Sequence, residues 1–118
     1  MGRLTTHILD TANGCPAAGV VIQLKTRDGD GKFKVISTLV TGEDGRCGSP
    51  IIEGEDFREG EYQLEFCVGD YFASKKEKIA QTAFLQIVPV RFFVGSANEH
   101  YHVPLLISPF GYSTYRGS

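Results

Sequence analysis

Apolar and polar side chains alternate with a period of two through most of this sequence, which is the pattern of β-strands that bury one face and expose the other. The clearest run is residues 61–68, whose apolar face comprises Tyr62, Leu64, Phe66 and Val68. The other strand candidates are residues 4–9, 20–27, 33–40, 85–94 and 100–107. Because turn sequences such as Asp44-Gly45 separate these runs at short intervals, the pattern predicts an all-β sandwich or barrel.

Length and composition narrow the class of protein further. The 118 residues are 42% hydrophobic and 22% charged, and since two packed cores would need a longer chain, we expect one domain over residues 1–118. The formal net charge is −2, and the 12 lysines and arginines are scattered, which argues against a nucleic-acid partner. No apolar stretch approaches the roughly 20 residues of a membrane-spanning helix, and residues 1–7 lack the apolar core of a secretory signal. We therefore expect no membrane partner and a cytoplasmic location.

The cysteines are Cys15, Cys47 and Cys67, an odd number with no CxxC pair. This pattern is typical of neither a disulfide framework nor a zinc knuckle. Free thiols are therefore predicted, with Cys67 as a packing residue within a strand.

One segment, residues 70–81, breaks the alternation and predicts a short surface helix. Asp70 can cap its first turn, and Phe72 and Ile79 are seven residues apart on one helical face. Residues 75–78 (KKEK) would form the solvated side.

Residues 101–107 carry apolar side chains on both faces, and residues 110–115 do so less strongly. A strand of an antiparallel sandwich needs only one buried face. The second face is therefore expected to contact another subunit.

Histidines supply the first candidate site. His100 and His102 are two residues apart, so a strand would direct both to the same side, and His7 lies on the first predicted strand opposite Leu4, Thr6 and Ile8. Taken singly, each is typical of a solvated side chain. Together the three residues could also form a zinc site, although the spacing does not demand one.

A glycine-rich turn, residues 41–48, carries one arginine, Arg46. Taken alone it is typical of a hairpin loop with a solvent-facing guanidinium. No nucleophile elbow, metalloprotease helix, phosphate-binding loop or dinucleotide-binding glycine motif occurs in the sequence. Composition and motifs alone thus predict an oligomeric β-sandwich with a His/Arg site, and they name no reaction.

Residues 98–118 read NEHYHVPLLISPFGYSTYRGS. This segment resembles the signature end of the 5-hydroxyisourate hydrolase family, the transthyretin-related enzymes of urate breakdown. The likeness covers the whole chain, since it also includes His7 followed by Ile-Leu, the Asp44-Gly45-Arg46 turn and residues 69–72 (GDYF).

This resemblance implies a fold, an assembly and a set of site residues. The implied fold is a transthyretin-like sandwich of two sheets, with about eight strands and one short helix. The implied assembly is a homotetramer, in which edge-to-edge dimers pair and leave the active sites in the channel between them. The residues implied to act in catalysis and substrate binding are His7, Arg46, His102 and Ser118. Tyr115 and His100 are expected to line the same pocket.

The implied reaction is hydrolysis of a small molecule, 5-hydroxyisourate, by attack of water on a ring amide. A neutral histidine can accept the proton of that water, and either His7 or His102 could do so. Arg46 would bind the oxygens of the ring, and the hydroxyl of Ser118 would bind water or substrate. No electron is transferred, so no cofactor is expected.

Two alternatives remain. One is a carrier of a small aromatic ligand, such as a thyroid hormone, in the same channel. A polar channel argues against it, because desolvating histidine and arginine for an apolar ligand is costly. The other is a structural or metal-storage sandwich that uses His7, His100 and His102 as zinc ligands.

Overall fold

The chain forms two β-sheets around one apolar core. The computed structural model describes residues 1–27, 29–75 and 84–117. Within these ranges the strands are β1 (Arg3–Asp10), β2 (Cys15–Pro16), β3 (Val21–Arg27), β4 (Phe33–Val40), β5 (Ile52–Glu53), β6 (Gly60–Cys67), β7 (Ile87–Val94), β8 (His100–Ser108) and β9 (Gly111–Thr114). A 3-10 turn covers Gly54–Asp56, and helix α1 covers Val68–Ser74.

Strand order is β2-β1-β8-β9 in the first sheet, where β5 also pairs with β1, and β4-β3-β6-β7 in the second. β1 and β8 run parallel with Thr5 opposite His102, whereas neighbouring strands of the second sheet are antiparallel. The predicted two-sheet β-sandwich of about eight strands with one short helix is confirmed. Two of the described strands, β2 and β5, are only two residues long.

The core contains the apolar faces that the alternation predicted. The fully buried side chains include Leu4 and Ile8 of β1, Ile22 and Leu24 of β3, Leu64 and Phe66 of β6, and Leu105 and Ile107 of β8. Burying one such side chain contributes about 1.5–3 kcal/mol. On the opposite face of the second sheet polar groups meet instead, with Lys25 Nζ 2.9 Å from a carboxylate oxygen of Glu65. Because these faces are buried, the alternate residues of each strand lie on the outside of the sandwich.

The helix differs from its prediction at the start. It begins at Val68, and its N-cap is Cys67, which makes no side-chain capping bond, so the predicted cap at Asp70 was wrong. The physical reason is that Val68 and Gly69 are buried together with Phe72, so the apolar face of β6 continues into the buried face of the helix. The remainder of the predicted helix, residues 76–81 with Ile79, lies outside the described residues. In the part of the chain that the structure describes, no helix is long and apolar enough to cross a membrane.

Asp10, at the end of β1, joins the first sheet to α1. Its carboxylate is buried and accepts hydrogen bonds from the backbone N–H groups of Ala12 and Asn13 at 3.0 Å and from the Asn13 side chain at 2.7 Å. The Tyr71 hydroxyl donates a further bond of 2.7 Å. Burial alone would raise the pKa of Asp10, but these hydrogen bonds outweigh it, so the pKa lies below its ordinary value.

We expect Tyr71→Phe to lower the free energy of unfolding by about 1.5–3 kcal/mol at neutral pH, because it removes a hydrogen bond to a buried charge. Since folding lowers the pKa of Asp10, the stability that its charged form contributes is present above the unfolded pKa, about 3.9. It is lost as the pH falls through the folded pKa. Urea unfolding should therefore show a difference between wild type and variant that shrinks below about pH 4. Tyr112→Phe, on an exposed side chain, is the control; a difference independent of pH would contradict the ionic character of the bond.

Candidate active site

Strands β1 and β8 place their polar side chains on one face of the first sheet. The parallel register sets Arg3 opposite His100, Thr5 opposite His102 and His7 opposite Pro104. Because Leu4, Thr6 and Ile8 of β1 are buried in the core, the alternate residues Arg3, Thr5 and His7 lie on the outer face. The three histidines therefore share one face of the sheet with Arg3 and Thr5. We call this set of five residues the histidine face: Arg3, Thr5, His7, His100 and His102.

The Thr5 hydroxyl holds the two histidines of β8 together. Its oxygen is 2.6 Å from Nε2 of His100 and 2.7 Å from Nδ1 of His102. The centroids of the two imidazole rings are 6.1 Å apart. Thr5 thus fixes how both rings lie on the sheet.

The segment that follows β9 folds back over His102. The Gly117 N–H donates a 2.7 Å hydrogen bond to the carbonyl oxygen of His102. A Cβ added at Gly117 would stand 2.6 Å from Cδ2 of the His102 ring, so only glycine allows this approach. Arg116 anchors the segment, with its guanidinium 4.0 Å from the centroid of the Tyr101 ring and 3.2 Å from a carboxylate oxygen of Glu99.

Arg46 is brought to the histidine face by a tight turn packed on β1. The N–H of Ile8 donates a 2.9 Å bond to the carbonyl oxygen of Gly45, and the N–H of Arg46 donates a 3.0 Å bond to Asp44 Oδ1. Gly45 has φ of +76°, and a Cβ there would collide with the carbonyl oxygen of Ile8. Glycine is therefore required at this position of the turn.

A cavity of about 320 Å³ lies between this turn and β1. Its lining comprises Arg3, Thr5, Thr6, Asp44, Arg46, Cys47 and residues 48–50. Two guanidinium groups therefore border the pocket, which suits a ligand rich in oxygen acceptors. Cys47 contributes a neutral thiol, because burial and the nearby charge of Asp44 raise its pKa.

The electrostatics of this face keep two histidines neutral. Burial lowers the pKa of His102, and nearby Arg46, His100 and His7 lower it further. Burial also lowers the pKa of His100, together with the charges of Arg3 and Arg116. An ordinary histidine has a pKa near 6.5, so both rings are neutral at pH 7 and can each accept a proton.

The predicted site residues are only partly brought together. Arg46, His100 and His7 are each close enough to His102 to lower its pKa, whereas Ser118 lies outside the described residues. Tyr115 lines a different, apolar cavity of about 300 Å³ with Phe92, Phe93 and Tyr101, so within one chain it does not share the histidine face. Among the described residues, no group of three His, Cys, Asp or Glu side chains is placed to hold a metal ion.

Two residues of this face were missed by the sequence analysis. Arg3 and Thr5 alternate with Leu4 and Thr6 and so share a face with His7, a signal that the period-two pattern already contained. What the sequence could not indicate was that β8 lies beside β1.

Two sheets in this strand order, with a parallel β1–β8 pair and one short helix, define a transthyretin-like sandwich with a histidine–arginine site. The chain belongs to the HIUase/Transthyretin family, whose model matches residues 4–117.

Named relatives and solved structures agree with this assignment. The chain is 53% identical over 118 residues to a 5-hydroxyisourate hydrolase of Pseudomonas aeruginosa, covering 100% of this chain and 93% of the relative. The structure of Klebsiella pneumoniae 5-hydroxyisourate hydrolase matches with a TM-score of 0.82 and 35% identity, covering 100% of both chains. Sea bream transthyretin in complex with thyroxine matches with a TM-score of 0.88 and 29% identity, covering 98% of this chain and 94% of that one.

We expect Arg46→Gln to raise the pKa of His102 toward its ordinary value, because the variant removes a positive charge beside the ring. An NMR titration of the imidazole C–H signals measures this change. Arg91→Gln is the matched control, since Arg91 lies on the second sheet with its guanidinium 4.4 Å from the centroid of the Phe33 ring. An unchanged pKa of His102 in Arg46→Gln would show that the guanidinium does not act on the ring.

Proposed function

We propose that this protein is a 5-hydroxyisourate hydrolase that opens a ring amide of its substrate by attack of water. The product is 2-oxo-4-hydroxy-4-carboxy-5-ureidoimidazoline, an intermediate of urate degradation. The observation that carries the proposal is the placement of His102 on the histidine face, where burial and the nearby charge of Arg46 lower its pKa. The P. aeruginosa relative of nearly the same length, named for this activity, supports it independently.

A histidine of this face removes a proton from the attacking water. His102 and His7 are the two candidates for this general base, a role worth about 10²- to 10⁴-fold in rate. The oxygen of water then bonds to the ring carbonyl carbon, the carbon–nitrogen bond breaks, and the ring nitrogen receives a proton. The reaction transfers no electron and therefore needs no redox cofactor.

Arg46 stabilises the negative charge that develops on the attacked carbonyl oxygen. Its guanidinium stays charged at every physiological pH and offers a planar set of N–H donors. Ser118 is proposed to hydrogen-bond the water or the substrate through its hydroxyl. His100 is proposed to line the pocket beside His102.

We further propose a homotetramer, formed as a dimer of dimers, with the histidine face in the channel between dimers. Exposed apolar side chains at the edges of both sheets support such an assembly, among them Ile87 and Phe93 of β7, Phe110, Tyr112 of β9, and Tyr115. Tyr115 is proposed to line the pocket only in the assembled tetramer. A cytoplasmic location suits the three cysteines, which are free thiols.

A carrier of an aromatic ligand is the second candidate, because the sea bream transthyretin structure contains thyroxine. The polarity of the pocket and of the adjoining histidine face disfavours it. Arg3, Arg46 and the histidines would lose their hydration to an apolar ligand without gaining equivalent partners. A channel that supplies a neutral base and fixed cations suits a polar heterocycle instead.

The first test follows 5-hydroxyisourate, freshly made from urate by urate oxidase, through the loss of its absorbance. We expect the protein to accelerate the decay, and His102→Asn or His7→Asn to reduce the rate constant by orders of magnitude, because each removes a base or an orienting ring. Urea unfolding and gel filtration check that the variants remain folded and assembled. Decay at the spontaneous rate with the wild-type protein would favour the carrier.

The same assay with a chelator tests metal catalysis. We propose full activity without metal, and inhibition by added zinc, since zinc would occupy the imidazole lone pairs that accept the proton. Activity that appears only after zinc is added would instead support a metal-dependent enzyme.

The second test uses the contact between Gly117 and His102. The Cβ of Gly117→Ala must displace the imidazole, and a shift of this size in a reacting group lowers the turnover number by about ten- to a hundred-fold. Gly95→Ala is the matched control, because its nearest contact, a ring carbon of Phe93, would lie 3.9 Å from the new Cβ. Equal activity of both variants would argue against a catalytic role for the position of the His102 ring.

A further inference from the structure

The Thr5 hydroxyl is placed between two imidazole nitrogens at hydrogen-bond distance from both, 2.6 Å from His100 and 2.7 Å from His102. A threonine hydroxyl has one proton to donate and two lone pairs with which to accept. Because this one proton cannot be donated to two acceptors, at least one of the two ring nitrogens must carry a proton when both contacts are hydrogen bonds. The Thr5 hydroxyl therefore couples the tautomers of the two histidines.

When the rings are neutral, two arrangements place the hydroxyl proton of Thr5 between the two rings. In the first, Nδ1–H of His102 donates to Thr5, and the Thr5 hydroxyl donates to Nε2 of His100. In the second, Nε2–H of His100 donates to Thr5, and the hydroxyl donates to Nδ1 of His102. The first leaves a lone pair on Nε2 of His102, whereas the second places a proton there. Of these two, only the first makes Nε2 of His102 a base.

The packing of the His102 ring makes Nε2 its reactive atom. Nδ1 is occupied by Thr5, and Cδ2 lies against Gly117. In the part of the chain that the structure describes, Nε2 of His102 has no hydrogen-bond partner. A proton exchanged with a bound molecule must therefore pass through Nε2.

The charges around the pair favour the first arrangement. Arg46 exerts the largest charge effect on His102, and a positive neighbour is better accommodated by a lone pair than by a further N–H donor. His100 is exposed, so water can accept the Nδ1–H that this arrangement requires of it. When Nε2 of His102 then takes up a proton, the bonds to Thr5 need not change.

We propose that Thr5 is a positioning residue, whose hydroxyl accepts Nδ1–H of His102 and donates to Nε2 of His100, so that the Nε2 lone pair of His102 faces the bound substrate. This inference rests on the proposed hydrolase function for the use of that lone pair. It assigns the general base to His102 and leaves His7 to orient water or substrate. His100 serves as the acceptor at the end of the chain of hydrogen bonds.

The direct test is the tautomer of His102 in the wild-type protein. Two-bond ¹⁵N–¹H NMR correlations at about pH 8, above the ordinary histidine pKa, distinguish the protonated from the unprotonated ring nitrogen. We expect His102 to carry its proton on Nδ1 and His100 to carry its own on Nδ1. A proton on Nε2 of His102 overturns the proposal, and this result does not depend on any variant or on activity.

Thr5→Val and Thr5→Ser give the matched pair of variants. Valine replaces the hydroxyl by a methyl group at nearly the same volume, whereas serine keeps the hydroxyl. We expect Thr5→Val to mix the tautomers of His102 and to lower the turnover number about ten- to a hundred-fold, the loss seen when a metal-bound histidine loses the partner that orients it. Thr5→Ser should keep the Nδ1–H tautomer and recover activity to within a few-fold of wild type.

The two proposals fail in distinguishable ways. If the wild type does not hydrolyse 5-hydroxyisourate, the function is wrong, while the tautomer measurement still reports on Thr5. If the wild type is active and Thr5→Val keeps both the wild-type turnover and the Nδ1–H tautomer, the positioning role of Thr5 is wrong and the function stands. Urea unfolding of both variants identifies any loss of activity that comes from unfolding.

Discussion

The parallel pairing of β1 with β8 is the constraint on which the site depends. Its register aligns Thr5 with His102, and a shift of one residue would turn His102 into the core and Val103 out of it. The register is fixed by burial, since Leu4 and Ile8 of β1 are in the same core as Leu105. The stability of the sandwich and the geometry of its polar outer face are thus set by the same alternation of side chains.

The site combines the cations Arg3 and Arg46 with neutral imidazoles. Burial lowers the pKa of His102 and Arg46 lowers it further, so the ring is neutral at pH 7. In the proposed mechanism this ring is the base and the guanidinium binds the developing negative charge. The arrangement needs two glycines. Gly45 lets the Arg46 turn touch β1, and Gly117 lets the chain lie against the His102 ring. Each close approach excludes a side chain for a steric reason.

Much of the fold could be predicted from the sequence. The errors in that prediction have a common cause, which is that the missed features depend on tertiary contacts. The strands around Leu64 and Ile22 follow from period-two burial, whereas the start of α1 was placed at Asp70 because a cap residue was read without its tertiary context. Val68 continues the buried face of β6 and also lies on the buried face of α1. Periodicity therefore could not locate the boundary between the strand and the helix. Among the site residues, Thr5 was overlooked because a threonine on a strand carries no motif of its own.

The sequence by itself determined the all-β class and the faces of the long strands, and its resemblance to a known family indicated the histidines and the arginine of the candidate site. Those features depend on the local alternation of side chains and on short motifs, and both can be read directly from the sequence. Only the tertiary structure decided that residues nearly a hundred positions apart, Thr5 and His102, share a hydrogen bond, and that Tyr115 lies in another cavity of the same chain. Strand pairing is chosen by the burial of the whole core, so no local pattern could specify it.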